Sequence, residues 1–235
     1  MGQGGEGVGR QGRLSELVVL SAGAAQAAVC ALAALKGYEL HADFGAVGAM
    51  QKKLLDGAAC DLIVLTRALI AELEAAGRLV ASSELGAVRT AIAVREGDLP
   101  PEISSGAALR AALLAADEIY FPDPQKATAG IHFAKVLEQL GIEGRRKTYP
   151  NGATAMREMA RSATKRVIGC TQATEIRNTA GAKLVGPLPA EFQLATTYAA
   201  GVCAGAPHEQ DARRFLSLLG GAESRELRLK AGFEL

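Results

Sequence analysis

The residues best placed to do chemistry in this chain are small ones, and they recur in one setting: a short loop between an apolar strand and a helix. Ser21-Ala22-Gly23-Ala24 follows the run Leu17–Leu20 and precedes a helical pattern from Ala25 to Leu35. Gly45-Ala46-Val47-Gly48 stands ahead of Ala49–Leu55, Thr128-Ala129-Gly130 ahead of Ile131–Leu140, and Asn151-Gly152 ahead of Ala153–Ala163. A helix N-terminus leaves backbone N–H groups unpaired and carries partial positive charge. Glycine and alanine keep side chains clear of that backbone, so an anion can approach it closely. Several such termini facing one cleft would bind a small anion without a charged side chain.

The candidate ligand contacts follow from these loops. Ser21, Gly23 and Ala24 make up the first, and Gly45, Ala46 and Val47 the second. Thr66 ends an apolar run; it either caps the helix starting at Ala68 or faces the ligand. Thr128, Ala129 and Gly130 open a later helix, where the Thr128 hydroxyl can cap or donate. His132 follows in the first turn, where the helix dipole disfavours the imidazolium and leaves a neutral donor or base. Asn151 is a natural N-cap ahead of Gly152. Thr171 and Gln172 place two polar groups at a strand end, either satisfied locally or aimed at a ligand. His41 and His208 are assigned no role. The GxGxxG pattern Gly7–Gly12 is set aside, because that fingerprint has meaning only between a strand and a helix.

The elements that must position these loops alternate along 235 residues. Strands are expected at 17–20, 39–44, 62–65, 88–94, 118–121, 146–149, 167–170, 183–187 and 197–204. Helices are expected at 24–35, 49–56, 68–76, 106–115, 131–140, 153–163 and 208–219. Strands separated by helices predict an α/β fold with largely parallel sheets covered on both faces. Gly37, Gly77 and Gly141 are expected as left-handed helix ends. After Pro100-Pro101 the alternation starts afresh, which suggests two lobes. Residues 1–16 form a polar, glycine-rich leader; 17–94 with 197–235 form the first lobe and 95–196 the second, with the ligand cleft between them. Ligands of open α/β sheets bind at the carboxyl ends of strands, where these loops lie.

The composition narrows the classes of function. Formal charge is +1, basic residues are scattered, and tryptophan is absent. Nucleic-acid binding, which needs a basic face and stacking aromatics, is therefore not expected. No apolar stretch is long enough to span a bilayer. Met1–Glu16 lacks the apolar core of a secretory signal, so the chain as written is expected in the cytoplasm, or in the periplasm if a signal has been trimmed. Cys30, Cys60, Cys170 and Cys203 form no CxxC pair, so no metal site is expected; three of the four sit in apolar or strand-like surroundings, and buried free thiols are the simple reading. No cofactor and no catalytic set is assigned, and a monomer is the default.

From Leu17 to Glu234 the chain resembles the type II periplasmic solute-binding proteins, in particular the molybdate-binding components of ABC transporters. The resemblance rests on Val18–Ala24, Phe44–Gly48, Asp61–Thr66, Pro122-Asp123-Pro124 with Ala127–Gly130, Phe215–Leu219 and Ala231-Gly232-Phe233. It implies a two-lobed fold closing by hinge motion over a small anion, molybdate, tungstate or a small carboxylate, with a membrane permease as partner. It also implies hydroxyl donors in the first two loops. This chain has Ala24, Ala46 and Val47 there, and Cys170-Thr171-Gln172 where the family commonly has a tyrosine. Each hydrogen bond lost to a charged ligand is worth roughly 1.5–3 kcal/mol.

Two further readings share the fold. Relatives of this family include isomerases of unsaturated tricarboxylates such as aconitate; here His132 or Cys170 would move the proton, provided either reaches the substrate. A sensor or storage protein for the same anion would act through a partner protein, since no helix-turn-helix is attached.

Overall fold

The computed structural model of the chain describes residues 15–235; the Gly7–Gly12 motif and most of the glycine-rich leader lie outside that range. The elements in chain order are β1 (Ser15–Ala22), α1 (Gln26–Lys36), β2 (Tyr38–Gly45), α2 (Val47–Leu55), β3 (Leu62–Thr66), α3 (Arg67–Ala75) and β4 (Leu79–Arg95). There follow α4 (Gly106–Ala115), β5 (Glu118–Pro122), α5 (Thr128–Gln139), β6 (Arg146–Tyr149), α6 (Gly152–Arg161), β7 (Val167–Gln172) and α7 (Ala173–Arg177). The chain ends with β8 (Ala182–Pro187), β9 (Ala195–Cys203), α8 (Glu209–Gly220) and α9 (Arg225–Ala231). Gly37, Gly77 and Gly141 all take positive φ at or just past helix ends, where a side chain would be strained.

The strands lie in the order β2-β1-β3-β9-β4-β7-β5-β6, with β8 also on β4. The parallel pairing expected from strand–helix alternation holds for β1 with β2 and β3, and for β5 with β6 and β7. The long β4 and β9 run antiparallel to their neighbours, making the whole mixed. The difference has a simple cause: β4 and β9 are not the products of helical crossovers. They pass between the two halves of the strand order. Residues Leu79–Arg89 of β4 pair with β9, and Thr90–Arg95 pair with β7 and β8.

Each half has its own core. Leu17, Val19, Leu62–Leu65, Phe215 and Leu219 pack in the first. In the second, alternation along β4 sends Ile92 to one face, against Phe121 and Phe133, and Ala91 and Ala93 to the other, against Met156 and Met159. Both faces are covered, which is why these strands read as unbroken apolar runs rather than alternating ones. At Gly169 a Cβ would stand 2.6 Å from Met156 Cε and from Met159 Sδ, so the missing side chain lets α6 close on the sheet.

Two buried charges are locked by backbone. Asp61 accepts from Val18 N (2.8 Å), His208 N (2.8 Å) and His208 Nδ1 (3.1 Å). His208, assigned nothing from sequence, thus holds the entry to α8. Arg228 donates to the carbonyls of Leu85, Gly220 and Gly221 at 2.6–3.2 Å and to Ser224 Oγ at 3.0 Å. A cation there complements the carbonyl end of α8.

Candidate functional site

A small cavity, with about 20 Å³ of room for a water-sized sphere, lies at the carboxyl ends of β1, β2, β5 and β7. So small a space suits at most a ligand of few atoms. Of the residues singled out from sequence, Gly23, Ala24, Gly45, Ala46, Val47, Thr128, Ala129, Asn151, Gly152, Thr171 and Gln172 line it together. No lysine, arginine or histidine does.

The N-termini of α2 and α5 reach the cavity without a side-chain cap. At the N-cap of α2, Ala46 has φ −64° and ψ 140°; at that of α5, Ala127 has φ −105° and ψ 127°. Both are the extended geometry of a capped helix, with a methyl group where serine, threonine or aspartate would supply an oxygen. The first amides of α2 and α5 therefore keep no partner within their helices. One of them, Gly48 N, donates to Lys126 O at 3.3 Å, joining the α2 loop to the loop ahead of α5. Thr128 is the first residue of α5 and not its cap.

The α6 terminus is different. Asn151 caps it, Oδ1 accepting from Thr154 N at 2.8 Å. The carboxylate of Glu175, from the short α7, accepts from the Thr171 hydroxyl, and the nearby backbone amides of Gln172, Ala153 and Gly152 favour its charged form. The Thr171 Oγ1 to Glu175 Oε2 distance is 2.5 Å. Burial pushes the Glu175 pKa up; these hydrogen bonds, Thr171 foremost, pull it back. Only glycine fits beside it: a Cβ on Gly152 would collide with Glu175 Oε2 and Thr171 Oγ1, and one on Gly23 would lie 2.6 Å from Glu175 Oε1.

Four expected contacts are placed elsewhere. Ser21 is fully buried, its Oγ donating to Ala22 O at 3.0 Å. Thr66 caps α3, accepting from Leu69 N at 3.4 Å, and borders a neighbouring groove instead. Gly130 backs against the carbonyls of Pro122 and Asp123, where no Cβ fits. His132 pairs through Nε2 with Phe192 O at 2.6 Å. Cys170 lies wholly inside the second core, where burial pushes its thiol pKa well up. Neither proton carrier considered for an isomerase reaches the cavity.

Of the lining residues that sequence reasoning missed, Ala22, Pro122, Ala127, Glu175 and Tyr198, the last two carry polar side chains. Both line the cavity. Burial, and then the Glu175 charge, raise the Tyr198 phenol far above its ordinary value, so it stays a hydrogen-bond donor. The available signal was the spacing Thr171–Glu175, one helical turn, behind a strand already thought to face the site.

Residues 17–234 match the model of a family described as bacterial extracellular solute-binding protein. The chain belongs to that family, and its fold is the type II solute-binding one. Among solved structures it is similar to the periplasmic molybdate-binding protein of Azotobacter vinelandii (TM-score 0.75, 19% identity, 93% of this chain and 99% of that one). It is also similar to the sulfate-binding protein of Mycobacterium tuberculosis H37Rv (TM-score 0.70, 17% identity, 93% and 86%). At such identities the likeness is one of fold. A curated relative, an aconitate isomerase from a Pseudomonas species, is 25% identical over 186 residues, covering 75% of this chain and 68% of the relative.

Proposed function

We infer that the cavity binds one small anion, a molybdate- or tungstate-like oxyanion or a small carboxylate, between two lobes built on the two halves of the sheet. In this reading residues 17–94 with 197–235 form one lobe and 95–196 the other. The chain then serves as the substrate-binding component of an ABC transporter, outside the cytoplasmic membrane, handing its ligand to the permease. Among the described residues no helix is long and apolar enough to cross a membrane. The observation that carries the reading is the convergence of the uncapped α2 and α5 termini on one cavity without a basic side chain. Such termini bind anions through backbone amides and the helix dipole.

The test is calorimetry and thermal melting of the full chain with molybdate, tungstate, sulfate, phosphate and small di- and tricarboxylates. A ligand at about 100 times its Kd should stabilise the fold by roughly 2.7 kcal/mol. Absence of binding by every anion would end the reading. Conversion of a bound unsaturated tricarboxylate, followed by chromatography, would replace it with isomerisation.

A further inference from the structure

The cavity offers an anion something unexpected: two hydrogen-bond acceptors. One is Glu175, 8% exposed, at the cavity wall. The other is Gln172 Oε1, on a side chain 2% exposed that also lines the cavity, and this oxygen has no hydrogen-bond partner among the described residues. Gln172 Nε2 is turned to Thr196 Oγ1 at 3.5 Å. A buried polar atom without a partner costs stability unless a ligand satisfies it. An anion whose oxygens all carry lone pairs cannot satisfy either acceptor, and a carboxylate beside it adds repulsion. An anion that brings a proton can.

The surroundings of Glu175 hold it in place to accept. The Thr171 hydroxyl at the end of β7 donates to its Oε2, and the Gln172 amide beside it and the Gly152 and Ala153 amides at the start of α6 favour its charged form. Gly23 leaves room for its other oxygen, since a Cβ there would stand 2.6 Å from Oε1. The titratable group facing it is the Tyr198 phenol of β9; Arg177, on its own helix, turns to Gly232 instead. No cation neutralises it among the described residues, in keeping with the absence of any salt bridge to Glu175.

We propose that the site binds its anion together with one proton, held between the ligand and Glu175, and that Glu175 thereby selects anions that carry a donor. The proposal rests on the cavity being the ligand site. Monohydrogen phosphate and arsenate, or a hydroxyl-bearing carboxylate, bring the donor themselves. Sulfate and molybdate bring none, so they bind only the chain whose Glu175 carries a proton.

The experiment is calorimetry of the full chain at pH 6–9 with sulfate, molybdate, phosphate, arsenate and malate. Each titration is run in two buffers of different ionisation enthalpy, which counts protons taken up. The expected result is an affinity for sulfate and molybdate that falls as pH rises, by about tenfold per pH unit and with uptake of about one proton once the free Glu175 is ionised, and donor-bearing anions at least about tenfold tighter in that range. Glu175→Gln offers an amide donor in place of the carboxylate; it should erase the pH slope and bring sulfate or molybdate level with phosphate. Sulfate or molybdate binding without proton uptake, at pH-independent affinity, would overturn the proposal while leaving anion binding intact. Binding of no anion would remove both. The proton count is read on the unaltered chain, so it stands even if Glu175→Gln does not fold.

Discussion

Replacing Ala127 by aspartate should strengthen the fold and abolish anion binding in the same molecule. Ala127 already has the backbone geometry of an N-cap and lacks only the side-chain oxygen. Supplying it fills one unpaired amide of α5, and a cap of this kind is worth about 1 kcal/mol. The same carboxylate would stand where the ligand must approach. A unit charge about 4 Å from the bound anion, at an effective dielectric near 20, costs about 4 kcal/mol, close to a thousandfold in Kd. Ala127→Asn separates charge from occupancy: it gives the same cap and costs only the lost amide contact, about 1.5–3 kcal/mol. Urea melts would read the stability and calorimetry the affinity. An Ala127→Asp chain that is stabilised yet binds its anion unchanged would refute the view that the α5 terminus faces the ligand.

Three other outcomes are expected. Glu175 has a folded pKa raised by burial, so the folded chain holds more protons than the unfolded one above the ordinary value of 4.5; stability should fall as pH rises through that window, by up to about 1.4 kcal/mol per pH unit. Urea melts of Glu175→Gln should lack that slope, and parallel slopes would show that Glu175 does not hold its proton. Arg228→Met should lower stability by about 3 kcal/mol or more, because the Leu85, Gly220 and Gly221 carbonyls lose their donor; a loss below about 1 kcal/mol in the same melts would mean that water replaces it. Gly130→Ala should cost about 1–3 kcal/mol through collision with the Pro122 and Asp123 carbonyls, and a neutral melt would show that the α5 entry yields easily.

The sheet was readable from sequence because most of its inner strands are apolar on both faces and bounded by glycine, proline or polar residues; each of the nine expected strands overlaps one in the structure. What pattern could not supply was direction. Val88–Val94 and Thr197–Ala204 look like any other buried strand, and nothing local says that β4 and β9 run against their neighbours. Helix α7 escaped because five residues form little more than one turn, too short for a period to show. The small-residue loops were legible for a physical reason: a strand-to-helix junction with no capping side chain is locally unsatisfied. Ser21, Gly130 and His132 sit in those same loops or one turn beyond, yet side-chain direction turns them to Ala22, to the Pro122 and Asp123 carbonyls and to Phe192. Glu175 and Tyr198 come from α7 and β9 and meet the loops only through tertiary packing.

The contact of Glu175 with Gly23 and Gly152 also constrains how this chain can change by descent. While glutamate stands at 175, any side chain at 23 or 152 collides with its carboxylate. A side chain at 23 requires the Glu175 carboxylate to shift or shorten, and alanine at the start of α6 requires Thr171 to give way as well. The reverse order passes through a chain with a disrupted ligand site. The three positions should therefore vary together among relatives, with glycine at 23 and 152 wherever 175 is glutamate. Serine or threonine beside position 23 and a small residue at 175 would mark lineages that bind their anion by a different set of donors.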